Sequence, residues 1–206
     1  MTEIIDLSAN DTLASIRDRR SVRHFTDQTV SDDDLRTVLE AANQAPSAHN
    51  QQSWRFLVLR GEKKHGLVEL VNQRAADFPR PSCILLRMAS RAIVSAPVVV
   101  AVANTGELIR RGAELFHVDK NAALDFFRTM EIQSSAAAVQ NLLLAATSLG
   151  LGSVWLGILY LIKDEVLSYL GEPEGEFMAV IPLGYPSKLT EAPKKRQLQS
   201  ITRYLD

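Results

Sequence analysis

Cysteine is almost absent: Cys83 stands alone in 206 residues, which rules out an intrachain disulfide framework. The four histidines, His24, His49, His65 and His117, are scattered and make no zinc-type spacing with it, so no structural metal is expected. An excess of either charge is missing too. Lys plus Arg number 23 against 24 Asp plus Glu, a net of −1, which excludes a broad field for drawing nucleic acid or an anionic membrane surface. The opening run MTEIIDLSAND is acidic where a secretory leader needs a basic start and an apolar stretch, so a cytoplasmic protein in a reducing compartment is expected. What is present is a globular balance, 46% hydrophobic and 23% charged. No repeat and no Gly-, Ser- or Pro-rich linker divides the chain, and residues 1–206 read as one domain.

Hydrophobic spacing and end signals outline the elements. Residues 12–20 suggest a short helix with Thr12 as cap that ends in arginines, and Ser31 caps a helix running to Gln44. A strand follows in Arg55–Leu59, then a helix over 63–75, a loop over ADFPRPSC and a helix over Ile84–Ser95 that stops before Pro97. PVVVAVA is a buried strand, and residues 105–130 show no clear order. The stretch Ile132–Ile162 carries no charge of either sign. Its first part predicts a buried helix over 132–149 capped by Gly150. Gln133, Gln140, Asn141 and the glycines weigh against a membrane span. Residues 163–170 form a helix, and FMAVIPLGYP a strand whose prolines place it at an edge or an end. The last residues form an extended arm.

Two constellations carry candidate chemistry. Arg17, Arg19, Arg20 and Arg23 fall within seven residues. One reading is a solvated helix end offsetting the macrodipole; the other is a phosphate clamp, in which planar guanidinium groups give paired hydrogen bonds and Ser21 adds a hydroxyl. A nucleic-acid site is disfavoured by the neutral net charge and the lack of interleaved aromatics. The second is Pro46-Ser47-Ala48-His49-Asn50-Gln51-Gln52-Ser53-Trp54, dense in small donors and acceptors. Such a run either reads the edge of a flat heterocycle or is merely a turn. His49 is either a base or an exposed, hydrogen-bonded side chain.

Taken together these segments resemble the nitroreductase-like FMN oxidoreductases. Arg19-Arg20-Ser21-Val22-Arg23-His24-Phe25 resembles that family's RRSVRxF opening, residues 46–54 its PSSxNxQPW, AATSLGLGSVWLG its helix, glycine turn and strand, and IPLGYPSK its LGYP segment. Two positions depart from the pattern: Ala48 stands where a second serine is common and Ser53 where proline is usual.

The resemblance implies an α+β fold, a mainly antiparallel central sheet flanked by helices in an intertwined homodimer. Helix 132–149 would lie at the dimer core and residues 192–206 would form an arm exchanged with the partner. It implies an FMN site in which Arg19, Ser21, Lys195 and Arg196 meet the phosphate and Arg20 contributes mainly through its backbone. Arg23 would lie by the pyrimidine edge. Pro46, Ser47 and Asn50 would come from the partner subunit, and Leu156 and Gly157 would give backbone N–H groups to the flavin. The implied activity uses NADH or NADPH to reduce nitroaromatic, quinone or similar flat acceptors by ping-pong kinetics. Residues 105–130 would form a lid, and Phe126 or Phe127 either a substrate wall or core. Related alternatives are a flavin-cleaving benzimidazole synthase, a reductive dehalogenase or a non-catalytic flavin sensor.

Overall fold

The computed structural model describes residues 7–115, 120–188 and 191–205. At its centre is the run predicted from PVVVAVA, strand β2 (Val98–Asn104), buried at every position. The sheet order is β1-β2-β4-β3, with β1 (Trp54–Leu59), β3 (Gly152–Ser153) and β4 (Glu176–Gly184), all pairs antiparallel. Alternation sends Val99, Ala101 and Ala103 to one face and Val98, Val100 and Val102 to the other. The first face is covered by α3 (Gly61–Ala75), α4 (Arg80–Ser95) and α7 (Lys163–Leu170). The second is covered by α2 (Asp32–Asn43) and α6 (Lys120–Ser148), two helices that pack on each other. Each fully buried Val or Leu contributes about 1.5–3 kcal/mol, so a strand buried on both faces anchors both cores. The α+β class and antiparallel sheet expected from the sequence are present.

Local signals explain most boundaries. Ser31 caps α2 as expected, its Oγ accepting from Asp34 N at 3.0 Å. The first helix, α1, runs Asp11–Asp18 with Asn10 as its cap, so it starts before the expected Thr12 cap and stops two residues short of the expected end; Arg19 and Arg20 follow the helix. Helix α4 begins at Arg80, so the second half of the expected ADFPRPSC loop is helical. Pro81 sits in the first turn, where its missing N–H deprives nothing of a partner. Of the two expectations for β4, an end holds at Pro186, just past Gly184, and an edge does not: β4 is interior and tolerates Pro182 for a geometric reason. Val180 turns its carbonyl to Leu156 N (2.9 Å), and alternation puts the Pro182 nitrogen on that same side, away from the ladder with β2.

The uncharged helix is only the second half of α6, which starts at Lys120 rather than 132. Its first turns pack on α5 (Glu107–Leu115), forming a small satellite core of Leu108, Ala123 and Phe127 with Ala48, Ile109 and Met130 beside it. The described parts of residues 105–130, unordered by sequence, thus form a helical hood; 116–119 of that stretch lie outside the described residues. Gly150 closes α6 at φ +74, as expected of the cap. Two residues on, a Cβ at Gly152 would stand 2.8 Å from the Val22 side chain. Without one, residues 21–22 lie against β3, with Ser21 bridged to Ser153 and Val22 N donating to Ser153 O at 2.9 Å. Residues 191–205 are exposed throughout and form only a 3-10 turn at Leu198–Ser200, with no strand.

Candidate flavin-binding site

The segment after α1 is held against β3, and this fixes the arginine cluster beside the C-terminal arm. A cavity of about 680 Å³ is lined by Arg19, Arg20, Ser21 and Arg23 from the first segment, by Gln140 of α6, and by Lys195 of the arm. That size suits an organic cofactor. Arg17 reaches the same cavity but is paired with Asp18 at 2.7 Å, which holds the Asp18 carboxyl below the usual carboxylate range. Among the described residues Arg19, Arg20, Arg23 and Lys195 form no salt bridge, although the Arg20 charge bears on Asp18 and Glu191 also lines the cavity. Unpaired cations converging from two ends of one chain fit a phosphate better than they fit a solvated helix end.

The individual roles differ. Arg20 turns inward: its Nη1 donates to Arg17 O (2.6 Å) and Arg19 O (2.9 Å), ending α1, while its buried Nε has no partner. Arg23 donates to Ser21 O at 3.3 Å. Arg196 does not line the cavity.

The 46–54 run forms a separate, strained platform. His49, Asn50 and Gln52 hold φ of 53°, 52° and 51°, a left-handed conformation costing about 1–3 kcal/mol for each non-glycine residue. Ser47 holds the loop together: its carbonyl accepts from Asn50 N (2.9 Å) and its Oγ from Gln52 N (3.1 Å). Gln52 Nε2 donates to Asn50 Oδ1 at 2.9 Å, which orients the Asn50 amide. Trp54 is buried, and its Nε1 donates to Asn43 Oδ1 at 3.2 Å. Pro46, Ser47 and Asn50 do not line the arginine cavity in the one chain.

One expected pair of donors is reduced to one. Leu156 is 6% exposed and its N–H donates to Val180 O at 2.9 Å, so it belongs to the sheet. Gly157 is exposed and opens the 3-10 helix Gly157–Ile162, whose first N–H groups have no intrahelical acceptor. On the hood the two phenylalanines part company. Phe127 is core at 1% exposure and Phe126 is 54% exposed, edge-on to it at 5.1 Å.

Sequence reasoning passed over Gln140 and Glu131. Glu131 was recoverable: it is the last charge before the uncharged run and stands in register with Ser135, Ala138 and Leu142 on the buried stripe of α6. Among the described residues no His, Cys, Asp or Glu cluster could hold a metal, and no helix is long and apolar enough to cross a membrane.

The fold and these segments define a family. Residues 16–185 match the Nitroreductase family, and the chain belongs to it. It is 33% identical over 178 residues to a candidate NADH dehydrogenase/NAD(P)H nitroreductase of Archaeoglobus fulgidus, covering 84% of each chain. Among solved structures it is similar to a candidate nitroreductase of Desulfovibrio desulfuricans in complex with FMN. That similarity is 30% identity with a TM-score of 0.71 over 96% of this chain and 98% of that one. The NADPH:FMN oxidoreductase of Vibrio harveyi complexed with NAD+ shares the fold, with a TM-score of 0.76 at 21% identity over 96% of this chain and 78% of that one.

Proposed function

We propose that the chain is an FMN-dependent NAD(P)H oxidoreductase that works as a homodimer and reduces flat, electron-poor acceptors such as nitroaromatics and quinones. The observation that carries this reading is the cavity in which Arg19, Ser21, Arg23 and Lys195 meet without a carboxylate partner among the described residues. The FMN-bound relative supports the same cofactor. The residues present fit the group: cations for a phosphate dianion, the orphaned Arg20 Nε beside it, and a cavity of about 680 Å³.

In this reading Arg19, Ser21 and Lys195 hold the phosphate, and Arg20 shapes their backbone by closing α1. Arg196, outside the cavity lining, adds positive charge from the arm. Arg23 places positive charge near the ring system, where it favours the reduced, more anionic form. Gly157 supplies the backbone donor that Leu156 does not. FMN held there would supply the hydride chemistry between NADH or NADPH and the acceptor. A second copy brings Pro46, Ser47 and Asn50 to the cofactor, because they lie off the cavity in the one chain. The half-exposed stripe of α6 at Ala136, Ala137 and Leu144 and the exposed arm 192–206 then serve as the surfaces of the dimer. The chain works as one domain over 1–206, in the cytoplasm, with no nucleic acid or membrane partner.

The test is an anaerobic titration of the purified protein, reconstituted with FMN, by NADH and by NADPH, followed by nitro and quinone acceptors. Bleaching by a nicotinamide and recovery on adding an acceptor is expected. Protein that is colourless and does not rebind FMN overturns the reading, and bound FMN that neither nicotinamide bleaches makes it a sensor instead.

A further inference from the structure

Four of the buried polar atoms without a partner belong to one small neighbourhood: Ser53 Oγ, Asn104 Nδ2, Thr105 Oγ1 and Glu131 Oε2. Thr105 N donates to Ser53 O at 3.0 Å, and Ser135, one turn beyond Glu131, donates to Asn104 Oδ1. Glu131 itself is 1% exposed. A carboxyl removed from water needs donors, and it finds them at the first turn of α5, with Leu108 N donating to its Oε1 at 2.8 Å.

The surroundings of Glu131 are neutral. On α5, Arg110 turns to Thr105 O (3.1 Å), Arg111 to Gln51 Oε1 (3.0 Å), and Glu107 is exposed. On α6, Arg128 donates to Glu176 at 2.7 Å. The neighbouring residues Ser53, Asn104 and Thr105 carry no charge. Burial pushes the Glu131 carboxyl above the usual range. The N–H groups of Leu108, Ile109 and Gly106 and the nearby Ser53 hydroxyl offset part of that push.

We infer that Glu131 is a positioning residue: it anchors the first turn of α5 beside Ser53, where the 46–52 loop passes into β1, and so sets how the hood stands over that loop. Arg111 to Gln51 is a second tie between the same two parts, and Ala48 packing against the Leu108 and Phe127 cluster is a third contact. That the hood borders the acceptor rests on the functional reading above; the clamp itself does not.

Glu131→Gln keeps an acceptor, adds an amide donor and removes the charge, whereas Glu131→Ala removes both. Acceptor KM and kcat are measured against pH for the reconstituted enzyme, with hydrogen exchange of residues 106–111. In Glu131→Ala, acceptor KM is expected to rise about tenfold with little change in kcat, and exchange in 106–111 to speed up. In the native protein KM is expected to rise with pH as the buried carboxyl ionises, and Glu131→Gln is expected to keep the low KM and lose that pH dependence. Unchanged KM and exchange in Glu131→Ala, or the native pH dependence persisting in Glu131→Gln, overturns the inference. Glu131→Gln alone decides the matter where Glu131→Ala does not fold. Protein that takes up no flavin fails the functional reading, and the exchange comparison then still decides the clamp.

Discussion

Leu156 N–H donates to the Val180 carbonyl at 2.9 Å, tying the turn after β3 to the middle of β4. The next residue, Gly157, is thereby held at the protein surface by a rigid sheet rather than by a loop of its own. A backbone donor placed this way carries no ionisable group and needs no reorganisation when charge develops beside it.

Arg19→Ala is expected to weaken FMN binding by about ten- to a hundredfold, the cost of a charged hydrogen bond, with an unchanged melting temperature in the flavin-free protein. Flavin fluorescence titration measures it. Lys195→Ala, combined with it in a double-mutant cycle, is expected to show coupling, since both side chains line one cavity. Strict additivity would place the two cations on different ligands.

Ser47→Ala removes the acceptor for Gln52 N–H in a loop that keeps three non-glycine residues left-handed. A loss of about 1–2 kcal/mol in stability is expected, read by chemical denaturation, together with weaker flavin retention. Normal stability and normal flavin content would show that the loop holds itself without this hydroxyl.

Lys64 is 8% exposed, with its Nζ donating to Ala96 O at 2.6 Å and Val94 O at 3.3 Å at the end of α4. Burial lowers its pKa from the ordinary 10.5. A base depressed in the folded state is disfavoured there only while protonated. The native protein is therefore expected to gain stability as pH rises from the folded pKa toward the ordinary lysine value, and to lose that gain as pH falls back. Lys64→Met is expected to lack this pH-dependent component while losing about 1–3 kcal/mol for the orphaned carbonyls, as denaturation series at several pH values will show.

Phe126→Ala is expected to raise KM for bulky aromatic acceptors and leave that for the nicotinamide nearly unchanged, with little effect on stability because the ring is 54% exposed. Phe127→Ala, at 1% exposure, is expected instead to destabilise the hood by about 3–5 kcal/mol. Steady-state kinetics beside thermal melts separate the two.

The three longer strands, the Ser31 cap and the Gly150 stop were legible in the sequence because each depends on neighbours a few residues away. The hood was not, because α5 owes its place to Glu131, more than twenty residues further on, and to packing between Leu108 and Phe127. Proline misled twice: Pro81 stands in a first helical turn, and Pro182 turns its nitrogen to the β3 side of β4, past the short Gly152–Ser153 pairing; neither distinction is visible without knowing where hydrogen bonds go. Of the site, the arginine cluster and the 46–54 loop were readable as motifs, and Leu156 was misread because sequence cannot show that its N–H is already taken. The two departures have visible consequences. Ala48 packs its methyl against the hood, and Ser53 buries a hydroxyl near Glu131.

The arm displays Leu198, Ile201, Tyr204 and Leu205 at 52%, 61%, 83% and 79% exposure. Side chains of that kind find shelter only by mass action, when another surface is supplied at sufficient concentration. In the proposed dimer, dilution is therefore expected to bare the arm while the sheet stays folded. Proteases would trim residues 191–205 first, more slowly in concentrated solution than in dilute, and trimming that removes Lys195 would strip the cavity of a cation that reaches it from the C-terminal side.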